Sequence, residues 1–366
     1  MEENQGVTSI EPKGEEWLLK DILPAVGLGF LVGPSKSRKS FYAVSLAAHV
    51  ATGCTFCERI PRTCGVVYIA AEAPEGVRKR FKAWREENSI EGAPMDLIAA
   101  APNLTSEDDV QDLTETLREA SAQMQSNGVK LGLVIIDTLA ASTHGADENS
   151  STDMGGVMSR LQSVAAELNI MVLVVAHTGK DQSKGIRGWS GQYAGADVVL
   201  NVERIKEDKD FSVVTVDKLK DAEDGKKFQF KLKQVILGID KDGDNITSAV
   251  PLFEEASGNT ALRRHPITKS GEIILTAIAN LRQQQLQQSE KSETLNVNDI
   301  EIPLYDLREE CFRLGLGGPA PAEEIGTPSH NRWKEARNKN FKRSLTKLVD
   351  QNLLNEQHGR YKIKTH

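Results

Sequence analysis

Three short apolar runs constrain the fold of this chain more than any other feature: Gly65–Ala71 (GVVYIAA), Leu131–Ile136 (LGLVII) and Ile170–Ala176 (IMVLVVA). They are uninterrupted rather than alternating and rich in β-branched residues, so each reads as a strand covered on both faces. Between them the pattern turns helical, at Glu75–Glu87, at Glu107–Gln125 with Val110, Leu113, Leu117 and Met124 on one face, and at Met154–Leu168. Leu28–Val32 adds an earlier strand, followed by a helix at Lys39–Ala51, and Met95–Ala100 a weaker strand. This alternation predicts an α/β fold, a mostly parallel sheet joined by right-handed crossovers.

Past residue 196 the pattern changes. Asp197–Val202, Phe211–Val216, Phe228–Leu232 and Val235–Ile239 read as consecutive strands with turns at Asp224-Gly225 and Asp242-Gly243, expected to extend the sheet antiparallel at one edge. Residues 1–15 read as a flexible leader, 16–253 as the main domain, 254–269 as a linker and 270–366 as a small second domain. In that last part Ile273–Leu281, Leu304–Leu314 and Trp333–Leu354 are helix candidates, and Arg282–Asn298, rich in Gln, Ser and Glu, reads as a loop or frayed helix end. A turn at His358-Gly359 followed by alternation suggests a hairpin, so the domain is expected to be a small α-rich winged helix-turn-helix.

Charge separates the two parts. The chain carries a net charge of −7, yet residues 331–366 hold ten Lys or Arg against three Asp or Glu, leaving 35 basic and 49 acidic residues elsewhere. An acidic body with a basic end points to a nucleic-acid-facing module, with Arg337, Lys342 and Arg343 as candidate DNA contacts; the plainer reading is a solvated basic helix. The polar, acidic start has no apolar stretch behind a basic end, which argues against a signal peptide, and no apolar run is long enough to cross a bilayer. Four cysteines are too few for a disulfide framework, so the expected compartment is the reducing cytoplasm. Cys54 and Cys57, with Cys64 and His49 nearby, could ligate zinc, but no second C-x2-C accompanies them and buried thiols are the favoured reading.

The chemistry concentrates in Gly33-Pro34-Ser35-Lys36-Ser37-Arg38-Lys39-Ser40, between a strand and a helix. It fits the phosphate-loop pattern G-x-x-x-x-G-K-[ST] except that Arg38 stands at the second glycine. Such a loop wraps phosphates with backbone N–H groups at a helix N-terminus; Lys39 would neutralise phosphate charge, Ser40 would ligate Mg²⁺, and Phe41 follows as the next contact. Three further strands end in Glu72, Asp137 and His177. Each has a bland alternative: a surface Glu, a turn-capping Asp, a hydrogen-bonded core His. On a parallel sheet all three would meet the phosphate loop at one rim, and that convergence favours an ATP site.

Four segments then resemble a known family: GPSKSRKSFYAVSLAAHVATG, VVYIAAEAPEGVRKR, LVIIDTLAASTHGADENSSTDMG and VVAHTGKDQSKGIRGWS. In this order, across about residues 28–200, they are similar to RecA-like hexameric ATPases of the plasmid replication helicase RepA type. The resemblance implies a RecA-like core and an ATPase with ATP and Mg²⁺ as cofactors, in which Glu72 is the catalytic glutamate, Asp137 the Walker B carboxylate and His177 the γ-phosphate sensor. It implies a channel-facing loop at Thr178–Arg187, whose Lys180, Lys184 and Arg187 would meet single-stranded DNA. It also implies that Lys218 and Lys220 enter the neighbouring subunit's site, as the cation pair of RecA-like rings does. Departures from the family pattern are Arg38, a lysine at 220 where an arginine is usual, and Asp197 near the place of an arginine finger. The expected protein is a homohexameric ring ATPase acting on DNA, a helicase or translocase in the replication of a plasmid, phage or other mobile element. An ATP-regulated DNA-binding protein without unwinding, and a filament-forming recombination mediator, are the alternatives.

Overall fold

Six parallel strands and three antiparallel ones make the central sheet in the computed structural model, which describes residues 16–363 apart from 58, 91, 148, 179–190, 206–207, 255–267, 289–299, 321–326 and 351–352. A two-stranded ribbon, β1 (Trp17–Leu19) and β2 (Leu23–Pro24), precedes β3 (Gly27–Val32) and α1 (Lys39–Thr52). Then follow β4 (Gly65–Ala70), α2 (Pro74–Asn88), β5 (Met95–Ile98), α3 (Glu107–Ser126), β6 (Leu131–Asp137), α4 (Ser151–Leu168) and β7 (Met171–Val175). A short α5 (Gly191–Gly195) leads into β8 (Val198–Arg204), β9 (Phe211–Leu219), β10 (Lys227–Ile239) and β11 (Asn245–Glu254). The strand order is β11-β10-β9-β8-β3-β7-β6-β4-β5, with β8 parallel to β3 and β9 to β11 antiparallel. This is the expected α/β class, a mostly parallel sheet extended by antiparallel strands at one edge.

The apolar runs explain the layers. Along each central strand, alternate residues face opposite cores: Leu31, Tyr68, Ile135 and Val175 pack with α1 and α2, while Phe30, Ile69, Ile136 and Val174 pack with α3 and α4. With both faces covered, a polar residue in mid-strand would lose its water, so polar groups concentrate where the strands end.

Several expected boundaries shift for local reasons. Helix α4 starts at Ser151 rather than Met154 because the Ser150 side chain accepts the Asp153 amide and caps it. The segments Phe228–Leu232 and Val235–Ile239 are one strand, β10, bent by a register shift between Ile236 and Gly238; polar Lys233-Gln234 lies on its outer part and makes no turn. The expected turns at Asp224-Gly225 and Asp242-Gly243 are present, with both glycines at positive φ. The strand after the second turn, β11, was not expected. It closes a hairpin that returns over α1, where Tyr42, Phe56, Phe230 and Phe253 form an aromatic cluster with centroids 4.7–6.2 Å apart.

The C-terminal part orders as α6 (Lys269–Gln288), β12 (Ile302–Pro303), α7 (Leu304–Arg313), α8 (Pro328–Asp350), β13 (Leu354–Gln357) and β14 (Arg360–Ile363), with strand order β12-β14-β13. Helix α6 runs through 282–288, so the first part of the stretch expected as a loop or frayed helix end is helical, with Leu and Gln residues that suit a helix, and the rest of it lies outside the described residues. Helix α8 begins five residues before Trp333 because Thr327 accepts the His330 amide and Pro328 suits a first helical position. The leader and most of the linker fall outside the described residues.

Candidate active site

Ala70, Asp137, Val175 and Leu31 lie side by side in register across β4, β6, β7 and β3. That row fixes the site. One or two residues beyond it, Glu72, His177 and the phosphate loop leave the same rim of the sheet. The Ala71 amide donates to the Asp137 carbonyl (2.8 Å), Ala176 to Leu31 (3.0 Å) and Thr178 to Gly33 (3.2 Å), so the departing segments stay parallel.

The loop itself is shaped by backbone. Gly33 has φ 154°, and a Cβ there would collide with the Val202 carbonyl oxygen of β8. Ser35 and Lys36 form its exposed tip, Pro34 is half-buried, and Ser37 is buried with its hydroxyl unpartnered among the described residues. Lys39 is buried, and its ammonium donates to the carbonyls of Gly33 (2.8 Å) and Pro34 (2.9 Å) and lies 3.3 Å from His177 Nδ1. Burial pushes this amine down to about 8, while the charges of Asp137 and Glu72 pull it up.

Arg38 is the N-cap of α1, in the left-handed region at φ 78° and ψ 20°. That explains why a glycine suits this point in the loop pattern. Its guanidinium does not lie along the loop: it donates to the carbonyls of Asp210 (2.7 Å) and Lys209 (3.1 Å), ahead of β9.

Asp137 is buried and held from two sides. Tyr68 Oη donates to its Oδ2 at 2.7 Å, and Ser40 hydrogen-bonds to the same carboxylate. Desolvation raises its pKa, and those two hydrogen bonds with the Arg80 charge pull it back. Glu72 is exposed, and Thr138 Oγ1 donates to its Oε2 at 3.3 Å. Ser40 and Asp137 together offer a hydroxyl and a carboxylate, the hard oxygen donors that suit Mg²⁺.

Three contributors were not singled out from the sequence. Tyr68 is the one hydroxyl in an otherwise aliphatic strand, a signal that was there to read. Thr138 directly follows Asp137. Arg80, two turns into α2, lies over the Phe41 ring at 4.6 Å from its centroid. With Phe41, Gly76, Gln234, Thr247 and Ser248 it lines a groove of about 430 Å³ between α2 and the β10–β11 hairpin.

The remaining expected residues lie elsewhere. Lys218 and Lys220 close β9, beside the start of β8 and so at the opposite rim, a six-residue strand (roughly 20 Å) from their own phosphate loop. Lys218 Nζ donates to the carbonyls of Tyr193 (3.0 Å) and Ala194 (2.7 Å), and Lys220 Nζ lies 3.6 Å from Asp197 Oδ1. Lys180, Lys184 and Arg187 fall outside the described residues. Lys342 and Arg343 are exposed on α8, whereas the Arg337 guanidinium is sandwiched 3.8 Å from the Phe312 centroid and 4.3 Å from that of Trp333. Cys54 and Cys64 are buried thiols, pushed up to about 11 and about 12 by desolvation. The His49 ring lies between those of Phe56 and Trp84, at 5.1 and 5.0 Å, with Nδ1 2.6 Å from the Ser45 carbonyl.

Residues 3–183, just under half of the chain, match a protein-family model described as an AAA domain. Similar solved structures include the RadB recombinase, at 15% identity over 58% of this chain and 90% of that one with a TM-score of 0.41. A second, described as an ATPase domain, is similar at 15% identity over 57% of this chain and 81% of that one, with a TM-score of 0.42. Neither likeness adds to what the strand order already establishes. No described helix is long and apolar enough to cross a membrane.

Proposed function

We propose that this chain hydrolyses ATP at the interfaces of a homo-oligomeric ring, a hexamer, and uses the energy on DNA as a helicase or translocase in the replication of a plasmid, phage or other mobile element. The observation that carries the reading is the gathering of Lys39, Ser40, Glu72, Asp137 and His177 at one sheet rim, around the N-terminus of α1. Lys39 and the first amides of α1 would grip the β- and γ-phosphates. Ser40 and Asp137 would hold Mg²⁺, which supplies charge neutralisation between those phosphates. Ser37 Oγ and Thr178 Oγ1, both buried and unpartnered among the described residues, add donors beside the loop and fit a phosphate-bearing ligand.

In the reaction a water oxygen bonds to the γ-phosphorus while the bond to the bridging oxygen breaks, and the water's proton passes to Glu72. Thr138 fixes that carboxylate, and Arg80 stands by with a cation from the same chain. The groove beyond Phe41 would take the nucleoside. His177, touching Lys39 on one side and preceding 179–190 on the other, would report the γ-phosphate to the DNA-facing loop. Lys218 and Lys220, at the far rim, could meet a phosphate only in the next subunit.

Lys39→Ala should abolish ATP turnover, and wild-type turnover should rise with single-stranded DNA. Full turnover by the variant would remove the site assignment. A second reading, a nucleotide-regulated DNA-binding protein that does not unwind, is favoured by one observation: both trans lysines are engaged by their own chain. A strand-displacement assay separates the two: ATP-dependent unwinding supports the first, and nucleotide-dependent duplex binding without unwinding the second.

A further inference from the structure

Helix α8 presents two contrasting faces. Phe341, Ser344, Leu345 and Leu348 are buried, three of them in the C-terminal core with α6 and α7. Directly opposite, at 100° per residue, stand Arg332, Ala336, Lys339 and Arg343, with Lys342 beside them, all exposed. None of these four cations has an ion pair among the described residues. A merely solvated helix spaces acids three or four residues from its bases. Here Glu335 has that spacing from Arg332 and Lys339, but no acid stands three or four residues from Lys342 or Arg343, and the next one is the terminal Asp350.

Two further details point to a polyanion held close. Ala336 leaves a low point in the middle of the stripe, where a flat surface can approach the helix backbone. Arg337 is withheld from it: stacked between Phe312 and Trp333, with its stem over Gly317, it braces α8 against the end of α7. The β13–β14 hairpin turns at His358-Gly359 and sets exposed Arg360 beside the same module.

We propose that this face of α8 is seated in the major groove of duplex DNA, with Arg332, Lys339, Lys342 and Arg343 on phosphates and base edges. The fit is geometric as well as electrostatic. A helix of about 10–12 Å diameter enters a groove about 12 Å wide. From Arg332 to Arg343 the helix advances about 16 Å, close to five base-pair steps. The proposal rests on the reading that this chain works on DNA, but it needs no hydrolysis.

The test uses the full chain and fluorescence anisotropy on a 30-base-pair DNA duplex at several salt concentrations. The triple variant Lys339→Ala, Lys342→Ala, Arg343→Ala should lose at least 30-fold in affinity, and its log K against log salt should be shallower by about two to three. The variant's melting temperature checks its fold; Lys339→Glu alone, with at least a fivefold loss, carries the test if the triple variant melts early. Duplex affinity and salt slope equal to wild type would overturn the proposal. So would an A-form RNA duplex competing equally, since its major groove is too narrow for side chains to read. Wild-type chain that binds duplex through α8 yet turns over no ATP would sink the ATPase reading and leave this one standing.

Discussion

Tyr68 donates its phenolic hydrogen to Asp137 Oδ2 at 2.7 Å, and both residues are buried. A buried carboxylate that keeps its charge needs such partners, and the Ser40 hydrogen bond and the Arg80 charge are what remain if this one goes. Tyr68→Phe should therefore raise the Asp137 pKa further and move the acid limb of the ATPase pH profile to higher pH. One hydrogen bond to a charged group contributes about 1.5–3 kcal/mol, so turnover at neutral pH should fall roughly 10- to 100-fold. Activity measured from pH 5 to 8 decides it, and an unmoved acid limb with full turnover refutes the role.

Lys39 gives the basic side. Its amine is lowered to about 8 by burial, against an ordinary 10.5. Below pH 8 it is charged and ready for phosphate; above, each ATP bound must bring a proton. Apparent ATP affinity should be level up to about pH 8 and then fall, approaching tenfold per pH unit. Equilibrium dialysis between pH 7 and 9.5 would show it, and a flat curve would contradict it. The same shift acts on folding: between about 8 and 10.5 the unfolded chain holds this proton more tightly, so this group makes the fold more stable as pH rises through that window.

Glu72 is exposed, and its carboxylate is steadied by Thr138. Glu72→Gln should cost about 10²–10⁴ in kcat with nucleotide binding retained. Thr138→Val, which keeps shape and loses only the hydroxyl, should lower kcat by about tenfold and leave KM within twofold. If Thr138→Val instead raises KM alone, its hydroxyl belongs to binding rather than to orientation.

Arg38→Gly tests the departure in the phosphate loop. The change relieves a left-handed residue, worth about 1 kcal/mol, and removes two exposed bonds to the Lys209 and Asp210 carbonyls of comparable total value. Melting temperature should stay within about 3 °C, and turnover should stay within threefold of wild type. A loss beyond tenfold would mean that the guanidinium turns to the phosphates during the cycle.

The sheet was legible because its strands are covered on both faces, so LGLVII and MVLVVA carry no polar interruption and end abruptly at Asp137 and His177. The residues that converge on the phosphate loop follow from that ending. What escaped was set by contacts distant in sequence. β11 is amphipathic and half-exposed, so its short apolar stretch did not stand out, and its place depends on Phe253 finding Tyr42 and Phe56. Arg80 lies on a charged helix surface where nothing marks it apart from Arg78 or Lys79; only the fold brings it over Phe41. Arg337 looked like one more base in a basic run until Trp333 and Phe312 enclosed it.

Helix α6 has residues in two cores at once. Ala279 packs with the α1–α2 layer of the sheet, while Ile274, Leu275 and Ile278 pack with α7 and α8, joined there by Ile60 and Val129 from the N-terminal half. Gln283 reaches the Ala51 carbonyl, at the far end of the helix that begins in the phosphate loop. A cut at residue 254 would strip oily side chains bare on both fragments, and a cut after Gln288 would bare Ile274, Leu275 and Ile278 instead, so α6 ties the two halves into a unit that neither truncation separates cleanly.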